Sequence, residues 1–459
     1  MKEWSEENIV QKSPINKKKK WSSSQIIILG FLAVIGIGCI LLMLPVSSNN
    51  GQATPLLNAL FTATSATCVT GLVVYDTATH WSLFGQIVIL LLIQIGGMGV
   101  VTIAVSIALV SGKKIGLMQR STMQEAISAP EVGGIIKLTG FLLRTTIIIE
   151  LAGALLMLPV FVKDYGWKGI WYAIFHSISA FCNAGFDLMG EKQAFSSLTA
   201  YSANGLLNFV VIALIIIGGI GFMTWDDIRR EGIHIKRYRM QSKVILLVTT
   251  ILIVIPFCLF LFGEFNKDIW SDMTLGEKMK ASLFQSVTLR TAGFNTVDLT
   301  RFSEAGWAVM IVLMLIGGSP GSTAGGMKTT TIAVLFMTLL SVFGKKQDTE
   351  CMGRRVADET IKNAAAILLM YITLFFMSGI IISYIEGLPV ITCLFETASA
   401  IGTVGLTLGI TTQLSSWSKI ILILLMYTGR VGGLTLVYAT FSNMQGNVSK
   451  LPKEKITVG

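Results

Sequence analysis

Four glycines stand at matched positions in the sequence, each at the end of a short stretch of apolar and hydroxyl residues. They are Gly71, Gly185, Gly293 and Gly405, separated by 114, 108 and 112 residues, and a phenylalanine precedes them by 10, 10, 9 and 10 residues. Glycine adopts, without steric cost, the backbone angles that point successive carbonyl groups to one side. Carbonyl oxygens in that arrangement can replace the water around a monovalent cation. The chemistry predicted for these residues is cation coordination by the backbone.

The residues beside each glycine would line the same path. A single glycine of this kind is more often an ordinary turn residue, and the fourfold recurrence is what favours a pore. No ring of acidic side chains accompanies the glycines, so selection by carboxylates is not predicted. The third stretch is one residue shorter, and we expect its Arg290 side chain to point away from the ions because a positive charge would repel them. The candidate coordinating residues are Thr67, Cys68, Val69, Thr70, Gly71, Phe181, Cys182, Asn183, Ala184, Gly185, Leu289, Arg290, Thr291, Ala292, Gly293, Ile401, Gly402, Thr403, Val404 and Gly405.

The composition indicates that lipid surrounds the elements that position these glycines. Of the 459 residues 53% are hydrophobic and only 14% are charged, with a mean hydropathy of +0.69, whereas soluble domains average about 25% charged residues. The runs 24–46, 205–222 and 244–263 approach or exceed the roughly 20 apolar residues that a spanning helix needs. Six cysteines and three histidines form no disulfide or zinc pattern.

Each glycine stretch is too short to span a membrane and lies between two longer apolar runs. Non-helical backbone at membrane depth is tolerated only where protein shields it or where it lines a watery cavity, so we interpret each stretch as a re-entrant hairpin. The predicted fold is an all-α integral membrane protein with four tandem helix–pore hairpin–helix repeats around one central pore, giving eight spanning helices and four re-entrant hairpins. The predicted divisions are a cytoplasmic N-terminal tail 1–23, repeats 24–111, 112–228, 229–343 and 344–442, and a cytoplasmic C-terminal tail 443–459.

Charge predicts the orientation. With the first tail in the cytoplasm, the predicted inside segments hold 23 lysines and arginines and the predicted outside segments hold 8. This is the positive-inside bias, and it places both termini in the cytoplasm. It also explains the net charge of +10 without nucleic acid as a partner. The basic segments 229–243 and 345–355 are typical of contact with anionic membrane lipid.

The second helix of the third repeat is predicted to be broken, because five glycines and a proline interrupt its apolar run. It is the only helix that we expect to be clearly broken. Pairs of glycines recur in the second helix of every repeat, and close packing of helices through small residues is the alternative explanation of this recurrence. Arg430, in the matching helix of the fourth repeat, and Arg144 and Glu150 are charges within apolar runs. Such charges usually face the protein interior. Arg144 and Glu150 are six positions apart, so separate partners are expected, and neither has a predicted function.

These residues resemble the Ktr/Trk/HKT superfamily of potassium and sodium transporters, and most of all the bacterial Ktr membrane subunit, over 24–443. The resemblance implies a protein of the bacterial cell membrane, and Gly71, at a position where sodium-preferring plant relatives carry serine, implies potassium selectivity. It implies an intramembrane loop that gates permeation and is contacted by Arg430, with packing of the helix bundle as the alternative role of that arginine. The loop residues implied are Gly317, Gly318, Ser319, Pro320, Gly321, Ser322, Thr323, Ala324, Gly325, Gly326, Met327 and Lys328.

The resemblance also implies partners. Ktr pores form homodimers, with one complete pore in each chain, and dock on a separate cytosolic octameric ring that binds nucleotides. This sequence carries no dinucleotide-binding motif of its own, and no cofactor is predicted for it. Potassium is the implied transported ion, and a role for sodium as an activator stays open. The alternatives are a sodium-coupled secondary transporter, whose signature would be broken helices in two inverted halves, and, less favoured, a membrane enzyme, for which no catalytic motif is found.

Overall fold

The computed structural model describes residues 22–110, 116–127 and 134–433, together with the single positions 435 and 454. Nearly all of the two predicted tails, 1–23 and 443–459, therefore lies outside the described residues. The helices are α1 Ser23–Met43, α2 Leu56–Thr67, α3 Thr77–His80, α4 Leu83–Met98, α5 Val100–Val110, α6 Leu117–Ala126, α7 Ile135–Tyr165, α8 Lys168–Phe181, α9 Gly205–Gly219, α10 Phe222–Glu231, α11 Met240–Leu259, α12 Leu275–Thr288, α13 Glu304–Leu315, α14 Thr329–Phe343, α15 Asp358–Glu386, α16 Val390–Gly402 and α17 Ser416–Val431; one small hairpin pairs β1 Glu350–Cys351 with β2 Arg354–Arg355.

One order of elements occurs four times along the chain. A long helix (α1, α7, α11 or α15) is followed by a helix of 12 to 14 residues (α2, α8, α12 or α16). An extended segment with one of the four glycines comes next, and then a second apolar helix begins. Two of the short helices begin directly after a proline, since Pro55 precedes α2 and Pro389 precedes α16.

Several helices are long enough to cross a membrane. Among the described residues, α1, α7, α15 and α11 with its π-helical extension to Glu264 are sufficiently long and apolar. The pairs α4–α5 and α9–α10 add two further spans if each bent pair is counted as one. In the third repeat the shorter apolar helices α13 and α14 stand on either side of an interruption at 316–328. The chain is therefore a mostly helical, multi-pass membrane protein.

The expectation that only one helix would be clearly broken is wrong. The angle between α4 and α5 is 98°, and that between α9 and α10 is 96°. Each bend falls at a glycine with a positive φ angle, +86° at Gly99 and +92° at Gly221. Gly432, with φ +89°, ends α17 in the same way. The second helices of the first two repeats therefore change course at a residue whose backbone an ordinary side chain would strain.

Glycines in these second helices allow close contact with the base of each hairpin. A β-carbon would fall on the last carbonyl oxygens of the short helices in three repeats: Gly96 on Thr67, Gly218 on Phe181, and Gly429 on Ile401. The matching contacts explain the recurrence of these glycines better than general helix packing, because the neighbour is in each case the hairpin of the same repeat.

Gly96→Ala tests this close approach. The added methyl group would collide with the Thr67 carbonyl, and overpacking of this kind costs about 1–3 kcal/mol. We expect the purified variant in detergent to unfold at a lower temperature than the unaltered protein. Gly36→Ala is the matched control, because a β-carbon at Gly36 meets nothing within 4 Å. Equal thermal midpoints for the two variants would contradict the close-packing interpretation.

Candidate functional site

The four hairpin glycines meet in a closed ring. A β-carbon on Gly71 would lie 2.5 Å from the carbonyl oxygen of Ala184 in the second repeat. The same relation recurs around the ring: Gly185 faces the Ala292 carbonyl at 2.8 Å, Gly293 faces that of Val404, and Gly405 faces that of Thr70. Each glycine thus packs against the carbonyl that precedes the glycine of the next repeat, and the fourth repeat closes on the first. The ring order is therefore first, second, third, fourth.

The backbone of the ring is left-handed at two positions in every repeat. The glycines have φ angles of +93°, +68°, +81° and +94°. The residue two positions earlier is also left-handed, and these residues are Val69, Asn183, Thr291 and Thr403, with φ of +51°, +57°, +64° and +51°. Positive φ is a genuine outlier for a β-branched residue. Such strain persists only where the surroundings impose it, and it clusters at functional sites. The spacing of the glycines does not indicate that the residue two positions earlier in each repeat is also left-handed.

Hydroxyl groups on the short helices hold this backbone. The residue four positions after the phenylalanine of each hairpin is a serine or threonine. Ser65 Oγ accepts the Gly71 amide at 3.1 Å, and Ser399 Oγ accepts the Gly405 amide at 3.0 Å. In the other two repeats the hydroxyl donates to the carbonyl after the glycine: Ser179 to Phe186 at 2.7 Å, and Thr288 to Phe294 at 2.5 Å. Sequence reasoning missed this set, although the constant spacing could have revealed it.

The third hairpin is shorter in structure as well as in sequence. In the other repeats the residue before the glycine bonds back to the carbonyl five residues earlier, as Thr70 does to Ser65 at 2.8 Å. Ala292 bonds instead to Thr288, four residues earlier, at 2.9 Å. Arg290 is 5% exposed, and its Nε and Nη2 atoms have no hydrogen-bond partner among the described residues. The twenty candidate coordinating residues are all buried.

The broken helix of the third repeat forms a loop that lies against the second and fourth repeats. Gly317 bonds to the Met327 carbonyl at 2.8 Å and closes the loop on itself. The Thr323 hydroxyl donates to the Phe181 carbonyl at 3.0 Å, directly below the second hairpin. Gly326 donates to the Gly429 carbonyl in α17 at 3.1 Å. The loop is thus fixed beneath the ring by contacts with two different repeats.

Arg430 contacts this loop, as the resemblance implied. Its Nη1 donates to the Thr323 carbonyl, while its Nη2 donates to the Gly96 carbonyl and, at 3.1 Å, to that of Gly97. One guanidinium group therefore links the loop to the end of α4. Lys328 Nζ donates to the Ala324 carbonyl at 2.8 Å. Within the part of the chain that the structure describes, neither cation has a salt bridge to a carboxylate.

A cavity of about 310 Å³ lies beside the loop. Arg430, Glu125 from α6 and several loop residues contribute to its lining, the loop residues being Gly321, Ser322, Ala324, Gly326, Met327 and Lys328. The described residues contain no group of three or more histidine, cysteine or acidic side chains that could hold a metal ion.

We expect separate partners for Arg144 and Glu150, and among the described residues a hydrogen-bond partner is found for the Glu150 side chain only. Glu150 is 8% exposed and accepts a hydrogen bond from Gln94 Nε2 at 3.4 Å, while its Oε1 has no partner among the described residues. Arg144, on the same helix, is exposed. The two side chains do not form a pair.

Comparisons with known proteins agree with this geometry. The family model of TrkH, described as a cation transport protein, matches residues 12–450. The potassium/sodium uptake protein NtpJ of Enterococcus hirae is 40% identical over 449 residues, covering 96% of this chain and 98% of that protein. The Ktr system potassium uptake protein B of Bacillus subtilis is 38% identical over 454 residues, covering 98% of this chain and all of that protein. The solved structure of the potassium transporter TrkH from Vibrio parahaemolyticus has a TM-score of 0.69 at 20% identity, and the match covers 92% of this chain and 85% of that one.

The apolar helices and the family model that matches nearly the whole chain define a membrane protein of the cation-transporting class. The chain belongs to the TrkH family of cation transport proteins, which includes the Ktr membrane subunits. The predicted resemblance to the Ktr/Trk/HKT superfamily is therefore confirmed, and the protein is a transporter and not an enzyme.

Gly71→Ala tests the ring directly. The new methyl group would press on the Ala184 carbonyl, and the residue would have to keep a φ of +93°. We expect cation transport by the reconstituted variant to fall by roughly tenfold or more, since the strained backbone and the overpacking each cost about 1–3 kcal/mol. Gly51→Ala is the matched control, because Gly51 has a φ of +67° but open space around it. Similar transport by both variants, at equal protein, would exclude a special role for the ring.

Proposed function

We propose that this chain is the potassium-selective, ion-translocating membrane subunit of a bacterial Ktr-type potassium uptake system. In this proposal four re-entrant hairpins, one for each of the repeats 24–111, 112–228, 229–343 and 344–442, surround a single pore among eight spanning helices. Ions permeate passively through a filter of backbone carbonyls. The observation that carries the proposal is the closed ring of Gly71, Gly185, Gly293 and Gly405, in which each glycine meets the carbonyl of the next repeat.

The ring suits a dehydrated monovalent cation. A potassium ion must exchange its water for other oxygen ligands in a narrow pore, and inward carbonyls supply them. Left-handed residues at two positions in each repeat are the backbone arrangement that such a lining requires. The hydroxyls of Ser65 and Ser399, bonded to the glycine amides, would keep those amides from turning inward. The candidate lining is the set of twenty residues predicted from the sequence.

The loop Gly317–Lys328 is proposed as the gate. It lies beneath the ring and is held by Arg430, which also binds the end of α4. An arginine among backbone carbonyls at membrane depth is costly and has to be explained by function or by packing. The Arg430 guanidinium joins the loop of the third repeat to α4 of the first repeat. This favours the gate role, because its release would remove the hydrogen bonds that link the loop to α4.

The proposal extends to assembly and location. Relatives named as Ktr system potassium uptake proteins cover nearly the whole chain, which supports a place in a Ktr system. The proposed assembly is a homodimer with one pore per chain, docked on a separate cytosolic octameric nucleotide-binding ring. Exposed basic residues on the segments 229–243 and 345–355 would face that ring or anionic lipid of the bacterial cell membrane. Both termini would be cytoplasmic. No nucleic acid is proposed as a partner.

A sodium-coupled secondary transporter is the second candidate. One relative is named a potassium/sodium uptake protein, and the sharp bends at Gly99 and Gly221 bring more broken helices than the sequence predicted. The four repeats have the same element order, however, whereas inverted halves are usual in such transporters. Sodium as an activator of potassium uptake is compatible with both candidates.

The proposed function is tested by growth of a potassium-uptake-deficient bacterium that expresses this chain, with and without a Ktr regulatory subunit. We expect the unaltered chain to restore growth at low potassium, and Gly71→Ser to weaken it because a side chain at this φ displaces the filter backbone. Membrane expression is measured in parallel. Expression without rescue in either setting would favour the sodium-coupled alternative or another ion.

Arg430→Gln tests the gate. Loss of hydrogen bonds from a charged donor typically costs about 1.5–3 kcal/mol, so we expect potassium flux without the regulatory ring to rise roughly tenfold. Arg430→Lys should give an intermediate flux, because one ammonium group cannot reproduce the fork. Arg237→Gln is the control, since Arg237 is exposed and its ion pair with Glu231 is 3.9 Å long. Unchanged transport kinetics in Arg430→Gln, at equal protein in the membrane, would rule out the gate role.

A further inference from the structure

The residue that follows the phenylalanine of each hairpin is polar and completely buried. These four residues are Thr62, His176, Gln285 and Glu396, and none is more than 1% exposed. The proposed filter uses the backbone of the hairpins and assigns these side chains no task. A buried polar group without a structural or functional reason is costly, so the contacts of each one have to be accounted for.

In the second repeat His176 reaches past the filter. Its Nδ1 lies 2.7 Å from the Tyr172 carbonyl oxygen, and because a carbonyl only accepts, Nδ1 carries the hydrogen. Nε2 of the neutral ring is then an acceptor, and it receives the Leu188 backbone amide at 3.3 Å. The imidazole thus connects the short helix α8 to the segment that follows Gly185.

In the fourth repeat Glu396 makes the same connection. Its Oε1 accepts the Leu408 backbone amide at 3.3 Å, and the carboxylate also accepts the hydroxyls of Thr411, at 2.9 Å, and Thr407. The bonded amide lies twelve residues after the side chain in both repeats. Two chemically different side chains therefore occupy equivalent positions and receive equivalent amides. The twelve-residue loop that each bond closes contains the complete filter segment of its repeat.

The other two repeats lack this bond. The Thr62 hydroxyl donates within its own helix, to the Asn58 carbonyl at 3.0 Å. Gln285 Nε2 lies 3.5 Å from the Met310 sulfur in α13. The segment after the third filter is instead joined to the second repeat, where Leu198 donates to the Asn295 carbonyl at 3.0 Å. The bond from the residue after the phenylalanine to the amide twelve residues later is therefore found, among the described residues, in the second and fourth repeats, which lie opposite each other in the ring. The first repeat has a different link, in which Asn58 Nδ2 donates to the Tyr75 hydroxyl at 2.7 Å.

We propose that His176 and Glu396 are positioning residues that hold both ends of two opposite filter segments and so determine the preference for potassium over sodium. The proposal rests on the proposed function, because it assumes that the ring coordinates the ion. A smaller ion is well coordinated only if the carbonyls move inward, and a segment tied at both ends resists that movement. Closing a short loop removes conformational freedom from the residues inside it.

Two substitutions of His176 remove or keep the acceptor of the Leu188 amide. Asparagine places an amide near Nδ1 and nothing at Nε2, whereas glutamine places its terminal group near Nε2. With purified chains in liposomes, potassium and sodium uptake are measured separately under the same ion gradients. We expect His176→Asn to lower the potassium-to-sodium uptake ratio roughly tenfold, the effect of one buried hydrogen bond left unmade. His176→Gln should keep the ratio close to that of the unaltered protein.

Glu396 supplies an independent pair. Glu396→Gln keeps an acceptor for the Leu408 amide and should preserve the ratio, while Glu396→Leu removes the acceptor and should lower it by a similar factor. Thr62→Val is the matched control: it removes a buried polar group at the equivalent position whose bond stays within its own helix, and we expect an unchanged ratio. If His176→Asn fails to reach the membrane, the Glu396 pair decides the question.

The outcomes separate the two levels of the proposal. Potassium-selective uptake by the unaltered chain, with a lowered ratio only in the Asn and Leu variants, supports the positioning role. An unaltered ratio in folded, transporting Asn and Leu variants overturns it and leaves the proposed function intact. An equal loss in Thr62→Val also overturns it, because general packing would then be the cause. Failure of the unaltered chain to select potassium would instead contradict the proposed function itself.

Discussion

The structure depends on one constraint, which is that four left-handed backbone segments must be held against one another at the centre of a membrane protein. Non-helical backbone is stable there only if the surrounding chain shields and supports it. Residues such as Val69 and Thr403 have the left-handed conformation, and the hydroxyls of Ser65 and Ser399 accept the amides of the neighbouring glycines. The second helices then press on the bases of the hairpins, and only glycine leaves room for this contact. Much of the surrounding fold is arranged to support this small strained ring.

The four repeats share this plan without being copies. The third hairpin is shorter by one residue, and its Ala292 amide bonds one residue closer than in the others. The third repeat alone has a loop in place of a bend, and the fourth alone places an arginine against that loop. A single chain can set each quarter of the ring separately, whereas four identical subunits could not. The differences lie both in the ring, where the third hairpin is shorter, and below it, where one repeat has the loop and another has the arginine.

The sequence predicted the elements that recur or that break a strong pattern. Four matched glycines, the shorter third hairpin and the interrupted run at 317–328 were all visible, because glycine and proline act on the backbone directly. The bends at Gly99 and Gly221 were not, since a glycine in an apolar helix is tolerated as often as it bends the chain. The left-handed Thr291 was hidden for another reason: tertiary contacts impose on this β-branched residue a conformation that it rarely adopts, whereas the asparagine at 183 adopts it more readily. The contact of Arg430 with the loop came from the family resemblance and not from the pattern of residues.

The contact between Gly405 and the Thr70 carbonyl, which closes the ring, has a consequence for biosynthesis. These residues come from opposite ends of the chain, so the first hairpin enters the bilayer long before the last one is translated. Until then its polar backbone has no neighbour on one side. During insertion the exposed polar backbone of the first hairpin must therefore be solvated by water, lipid headgroups or the insertion machinery. In a chain truncated after the third repeat this backbone would stay exposed, and cellular quality control could recognise it.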